Sequence, residues 1–194
     1  MMKYRFMTIA LLSLATLASC KGDKKESEEV IEVVEVEEVE VMPEMQKLTL
    51  KLEPKSDSKA SGSVVFKEED GVVKFTAVIG GLDEGMHAIH IHDKADCSSA
   101  DGKSTGGHWN PTNEQHGKWG AAEGYHKGDI GNFPADENGN GTITMSTDQW
   151  CIGCGDPKKD VVGKAIIVHQ GTDDFTSQPS GAAGARISCG GIIK

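Results

Sequence analysis

From Leu48 onward the chain is written in short alternating or β-branched segments stopped by glycine, and no stretch carries a clear helical period with caps. Leu48-Thr49-Leu50-Lys51-Leu52 alternates apolar with polar, and Ser63-Val64-Val65-Phe66 does so more loosely. Val72 to Ile79 is rich in β-branched residues and ends at Gly80-Gly81. Thr142-Ile143-Thr144-Met145 follows the turn signal Asn138-Gly139-Asn140-Gly141. Met86 to His92, Lys164 to Val168, and Arg186 to Cys189 with Ile192-Ile193 read as further strands. Side chains of a strand alternate between its two faces, so segments with one apolar face must close over a shared core. Short strands at this turn-punctuated spacing specify an all-β domain, an antiparallel sandwich or barrel. Two stretches, 93–135 and 170–185, carry little strand signal, and loops that long in a compact domain are usually functional.

Composition narrows the function classes. The chain is 37% hydrophobic and 5% aromatic with 24 Gly, which provides for one core and many turns. A formal net charge of −10 leaves no basic face for a polyanion. No apolar run approaches the roughly 20 residues that span a bilayer.

The N-terminus reads as an address. Lys3 and Arg5 precede a short apolar stretch, Phe6 to Ala18, and Leu17-Ala18-Ser19-Cys20 follows. That order is a secretory signal. Small residues before a cysteine resemble the lipobox of bacterial lipoproteins, which implies cleavage before Cys20 and diacylglycerol on its sulfur. The product would be exported and anchored by lipid to a bacterial membrane, facing the periplasm or the surface. Lys21 to Lys47 holds 4 basic and 10 acidic residues around a low-complexity Val/Glu run. Like charges at that density repel and leave few large side chains to bury, so the segment reads as a solvated tether. The expected organisation is a signal peptide over 1–19, a lipidated cysteine and acidic tether over 20–47, and a folded unit over 48–194.

All seven histidines fall between His87 and His169. His90-Ile91-His92 places two imidazoles on one face of a strand, a half-site for a metal. Taken alone, His-x-His is more often a packed or surface pair. His108 in Gly107-His108-Trp109-Asn110-Pro111, His116, His126 with Asp129 three residues on, and His169 at a strand end change that balance. Imidazoles suit zinc and copper, and one carboxylate among several imidazoles is ordinary for zinc. Seven such ligands exceed one tetrahedral site, so they imply two metals, or one site with spares.

Gly85-Met86-His87-Ala88-Ile89-His90-Ile91-His92, Gly107 to Pro111, and His126-Lys127-Gly128-Asp129-Ile130-Gly131-Asn132 together resemble copper/zinc superoxide dismutase. Val168-His169, Asp173-Asp174 and Gly184 to Gly190 continue the likeness in order to the end of the chain. The resemblance implies a Greek-key β-barrel or sandwich of about eight antiparallel strands with two long functional loops. It implies copper at His90, His92, His108 and His169, and zinc at His108, His116, His126 and Asp129, with His108 bridging. It implies that Asp173 orients His90 and His116, that Arg186 guides an anion beside copper, and that Cys97 and Cys189 form a disulfide. His87 matches a structural histidine of the family. The implied activity is disproportionation of superoxide to dioxygen and hydrogen peroxide, with superoxide as the small-molecule substrate and no nucleic acid partner.

The pattern also departs from the family. Ala182 stands where members usually carry asparagine, and the loop from Gly171 to Ala185 has no lysine. The folded unit holds 14 basic and 20 acidic residues, so attraction of an anion must be local. Trp150-Cys151-Ile152-Gly153-Cys154-Gly155 lies outside the common pattern. With Cys20 lipidated, four thiols remain and allow three pairings. If the resemblance takes Cys97 with Cys189, Cys151 and Cys154 are left as a local clip, or as a soft dithiolate for Cu(I). A metal buffer on the same scaffold, without turnover, would need the ligands but not Arg186. A structural or adhesive lipoprotein would show lost ligands, and none of the seven is missing.

Overall fold

The computed structural model describes residues 45–194, and the signal-peptide and lipidation readings, with most of the tether, lie outside them. Eight antiparallel strands run through the described residues: β1 (Gln46–Pro54), β2 (Ser61–Glu69), β3 (Val72–Gly80), β4 (Gly85–His92), β5 (Gly131–Ala135), β6 (Gly141–Thr147), β7 (Ala165–His169) and β8 (Arg186–Gly191). They close into a barrel in the order β1-β2-β3-β6-β5-β4-β7-β8. β4, β5 and β6 neighbour one another, and β7 returns beside β4, which is a Greek key.

Local pattern explains most of the barrel. In β1, Leu48, Leu50 and Leu52 point inward while Lys47, Thr49 and Lys51 are exposed. In β3, Val73, Phe75, Ala77 and Ile79 fill the interior. Phe66 and Phe75 lie 5.2 Å apart between ring centroids, and each meets Trp150 edge-on at 6.2 Å. Truncating one of these rings to alanine costs about 3–5 kcal/mol.

Strand boundaries differ from the sequence reading in three places. β1 starts at Gln46, so Gln46 and Lys47 belong to a strand rather than to the tether. β5 falls inside the stretch 93–135 that carried little strand signal. Its sequence Gly-Asn-Phe-Pro-Ala has no β-branched residue, and it holds its place through Phe133 in the core and its ladder with β4. Ile192 and Ile193 lie beyond β8; Ile192 is buried and exchanges backbone bonds with Gly163 and Lys164.

β4 positions the site. It is buried on both faces from His87 to His92. Ile89 and Ile91 face the core, and His90 and His92 face outward beneath the two long loops. That cover hides the alternation expected of an antiparallel strand with one wet face.

Candidate metal centre

The loop after β4 doubles back along it. Trp109 N–H donates to Ile91 O at 2.8 Å, and Ile91 N–H donates to Gly128 O at 2.9 Å. His92 and His108 form an isolated bridge. These backbone bonds set the His108 ring beside those of His90 and His92, at centroid distances of 4.0 and 5.0 Å. His169 ends β7, in register with Arg186 of β8.

The eight ligand positions inferred from sequence, His108 counted twice, gather as two buried clusters. In each, one ligand atom per residue lies within 4.8 Å of the others: His90, His92, His108 and His169 in one, and His108, His116, His126 and Asp129 in the second. His108 belongs to both.

Outer hydrogen bonds fix which ring nitrogen faces each cluster. His90 donates from Nε2 to Asp173 Oδ2 at 2.9 Å, and His92 donates from Nδ1 to Gly106 O at 3.0 Å. His169 Nδ1 reaches Gly184 O at 3.4 Å. The nitrogens left over, His90 Nδ1, His92 Nε2, His108 Nε2 and His169 Nε2, are buried without a hydrogen-bond partner. An orphaned buried polar atom is costly, and four converging on one point are the donor set of a metal that takes imidazole.

The second cluster closes on Asp129. Its carboxylate oxygens lie 2.8 Å from His108 Nδ1, 3.0 Å from His116 Nδ1 and 3.2 Å from His126 Nδ1. A tetrahedral zinc with bonds of about 2.0–2.1 Å separates its ligand atoms by about 3.3 Å. The residues therefore fit zinc in spacing and in chemistry. Asp129 Oδ2 also accepts the backbone N–H of Gly117 and of His126, which holds the carboxylate in place.

Asp173 joins the two clusters from behind. Its Oδ2 accepts from His90 and its Oδ1 from His116, both at 2.9 Å. Asn132 clamps Asp173 by exchanging both backbone bonds with its side-chain amide at 2.8 Å. Gly181 crosses over this pair with φ +68°, and a Cβ there would collide with Asp173 Oδ1. Only glycine serves at that crossing.

Charge follows from the packing. Burial, reinforced by neighbouring imidazoles, holds His92 and His169 well below the usual histidine range. Burial also pushes His108 down to about 4 against the pull of Asp129. His116 goes the other way, up to about 9, because Asp129 and Asp173 outweigh its burial. The hydrogen-bonded imidazoles hold Asp129 and Asp173 well below the carboxylate range despite burial.

A cleft of about 710 Å³ opens over the clusters, lined by His92, His108, His126 and His169 with Lys103, Arg186 and the Pro179–Arg186 segment. Arg186 is partly buried, which lowers its proton affinity, while Asp101 raises it. Cys97 and Cys189 are bonded, with Cα atoms 5.9 Å apart, and tie the loop after β4 to β8. Cys151 and Cys154 are bonded to each other. His87 stands outside both clusters and bridges the carbonyls of His169 and Asp83 at 3.0 and 2.9 Å.

Sequence reading missed Thr105, Lys103 and Gln178. Lys103 and Thr105 lie in a single 3₁₀ turn, in which Lys103 lines the cleft and Thr105 is buried. Gln178 accepts from His116 N–H and donates to His116 O, both at 2.9 Å. Thr105 and Gln178 have no local signature at these positions, since each acts across 60 or more residues of chain.

A family model described as copper/zinc superoxide dismutase matches residues 60–192. Among solved structures, the chain is similar to the crystal structure of a double mutant of a SOD-like protein from Bacillus subtilis. The two are 30% identical with a TM-score of 0.67, over 75% of this chain and 97% of that one.

Proposed function

This chain belongs to the copper/zinc superoxide dismutase family, and from that premise we propose that it converts two superoxide anions and two protons to dioxygen and hydrogen peroxide. Copper would be held by His90 Nδ1, His92 Nε2, His108 Nε2 and His169 Nε2, and zinc by His108 Nδ1, His116 Nδ1, His126 Nδ1 and Asp129. The observation that carries the reading is the set of four buried, unpartnered imidazole nitrogens at the foot of a cleft walled by Arg186. When bound, copper supplies a one-electron couple, while zinc has no second oxidation state and supplies fixed charge and structure.

The chain's own groups do the rest. Arg186 presents a permanent positive charge to a small monoanion, and the low-dielectric walls of the cleft strengthen that attraction. A lysine in the same place would lose its charge to burial more readily. His108, shared by both clusters and lining the cleft, is the proton carrier of this reading. Its Nδ1 is fixed on the Asp129 side, and its Nε2, which faces the first cluster, would carry one of the protons that peroxide formation consumes only while that nitrogen is not held as a ligand. Asp173 keeps His90 and His116 in the ring orientations that aim Nδ1 of each inward. The presence of Arg186 in the cleft favours turnover over metal storage, because storage has no use for an anion guide.

The proposal extends to the N-terminus, where Cys20 is the lipid anchor of an exported protein and the acidic segment spaces the barrel from a bacterial membrane. The test of function is direct. Purified full-length chain should carry about one copper and one zinc and should consume superoxide. Metal-replete chain that leaves superoxide untouched would overturn the reading in favour of metal storage.

A further inference from the structure

Arg186 does not stand freely in the cleft. Its Nη1 donates to Gly102 O at 3.0 Å and to Thr105 Oγ1 at 3.1 Å. Both protons of that nitrogen are thereby used. Thr105 is fully buried, and its own hydroxyl donates to the same Gly102 carbonyl at 2.8 Å. The hydroxyl proton is thus committed, and the oxygen is left as an acceptor aimed at Arg186. Among the described residues this hydroxyl has one other bond, to Gly102 at the N-cap of the 3₁₀ turn at Lys103–Thr105.

The remaining donors of Arg186 are Nε and Nη2. Among the described residues neither has a protein partner, and neither is shut away from solvent. A guanidinium edge with two parallel N–H groups recognises planar or diatomic anions with two oxygens.

We propose that Thr105 is a positioning residue for Arg186: with Gly102 it occupies Nη1 and leaves the Nε–Nη2 edge as a two-donor fork for a small oxyanion in the cleft. The fork is built by a buried hydroxyl and one carbonyl, so it is in place before an anion arrives and costs nothing in side-chain ordering on binding. Removing the hydroxyl leaves Nη1 with one bond and frees the guanidinium to rotate about its remaining contact. The part of this inference that concerns turnover rests on the proposed superoxide chemistry, whereas the part that concerns Arg186 and anion binding does not.

The test uses full-length chain, Thr105→Val and Thr105→Ser. Arginine occurs at positions 5 and 186 alone, so selective 15N-arginine labelling gives at most two guanidinium signal sets. Spectra are read with zinc bound and copper left out. The wild-type chain should show separate Nη1 and Nη2 signals for Arg186, the mark of hindered rotation. Inorganic phosphate should shift Nε and Nη2 more than Nη1. In Thr105→Val the Nη signals should merge, and phosphate affinity should fall about three- to tenfold, as for loss of one hydrogen bond to a charged group with its companion bond kept. Thr105→Ser, which keeps the hydroxyl, should restore both. In copper-loaded chain the superoxide rate should fall in parallel for Thr105→Val with metal content unchanged. Separate Nη signals and wild-type phosphate affinity in Thr105→Val would overturn the proposal. So would a loss of rate in Thr105→Val with the Arg186 signals unmoved. A wild-type chain that ignores superoxide yet shows the Nη pattern and its loss would sink the proposed reaction and leave the role of Thr105 standing.

Discussion

Breaking the Cys97–Cys189 bond by serine substitution at both positions should cost far more than breaking Cys151–Cys154 the same way. The first bond spans 92 residues and the second spans 3. On loop-closure entropy the long bridge stabilises the fold by about 4–5 kcal/mol and the short one by about 2 kcal/mol. The short clip also has substitutes. Asp160 accepts the backbone N–H groups of Gly153 and Gly155 at 2.8 and 2.9 Å, and Glu68 accepts that of Ile152 at 2.7 Å. Those three bonds hold the turn whether or not the sulfurs are joined, so the measured loss should fall below the entropic figure. The long bridge has a second consequence. It joins the loop that carries Gly102 and Thr105 to β8 three residues past Arg186, so its loss should loosen Arg186 as well as the fold. Urea unfolding of metal-free chain, followed by tryptophan fluorescence, gives both free-energy differences on one scale. Copper-loaded Cys151→Ala, Cys154→Ala should keep its superoxide rate. Equal losses for the two bridges, or a larger loss for the short one, would refute the reasoning. Failure of the short-bridge variant to load copper while folded would assign Cys151 and Cys154 to metal delivery instead.

Arg186→Ala should lower the superoxide rate by about tenfold or more with copper and zinc retained, and should flatten its dependence on ionic strength, whereas Arg186→Lys should keep part of the rate. Metal-free chain should be most stable near neutrality. His108, held near 4 against an ordinary 6.5, contributes stability that is present above about 6.5 and is lost as pH falls toward 4. Asp129 and Asp173, held below the carboxylate range, extend that loss below pH 4. His116, raised to about 9, contributes stability below about 6.5 that disappears as pH rises toward 9. Urea midpoints across pH 4 to 9 should trace that dome, and a midpoint rising steadily to pH 9 would contradict the assignment for His116. Cys20→Ala should abolish lipid attachment, so that full-length chain leaves the detergent phase. Residues before Cys20 in the mature protein would contradict lipidation.

How far the sequence speaks depends on how local each cause is. β1 and β3 are legible because one face is wet and the alternation of Leu48 to Leu52 and Val73 to Ile79 records it. β4 is partly masked, since both faces are covered and apolar residues mix with buried histidines. β5 is invisible, because Phe133 and its register with β4 decide it rather than any propensity of Gly-Asn-Phe-Pro-Ala. The histidines announce a metal centre by number and spacing, but their division into two clusters sharing His108 came from family likeness. Ring orientation is not readable at all, since Gly106 O, Gly184 O and Asp173 set it from distant positions. Thr105 and Gln178 escaped for the same reason: each is an ordinary polar residue whose role exists only once two remote loops meet.

Reconstitution of metal-free full-length chain with copper alone, with zinc alone and with both, followed by stopped-flow measurement of superoxide loss, tests the division of labour most directly. Copper alone should restore turnover, both metals together should give the most active and most stable form, and zinc alone should give none. Full turnover in zinc-replete, copper-free chain would contradict the assignment of the four-imidazole cluster as the redox centre.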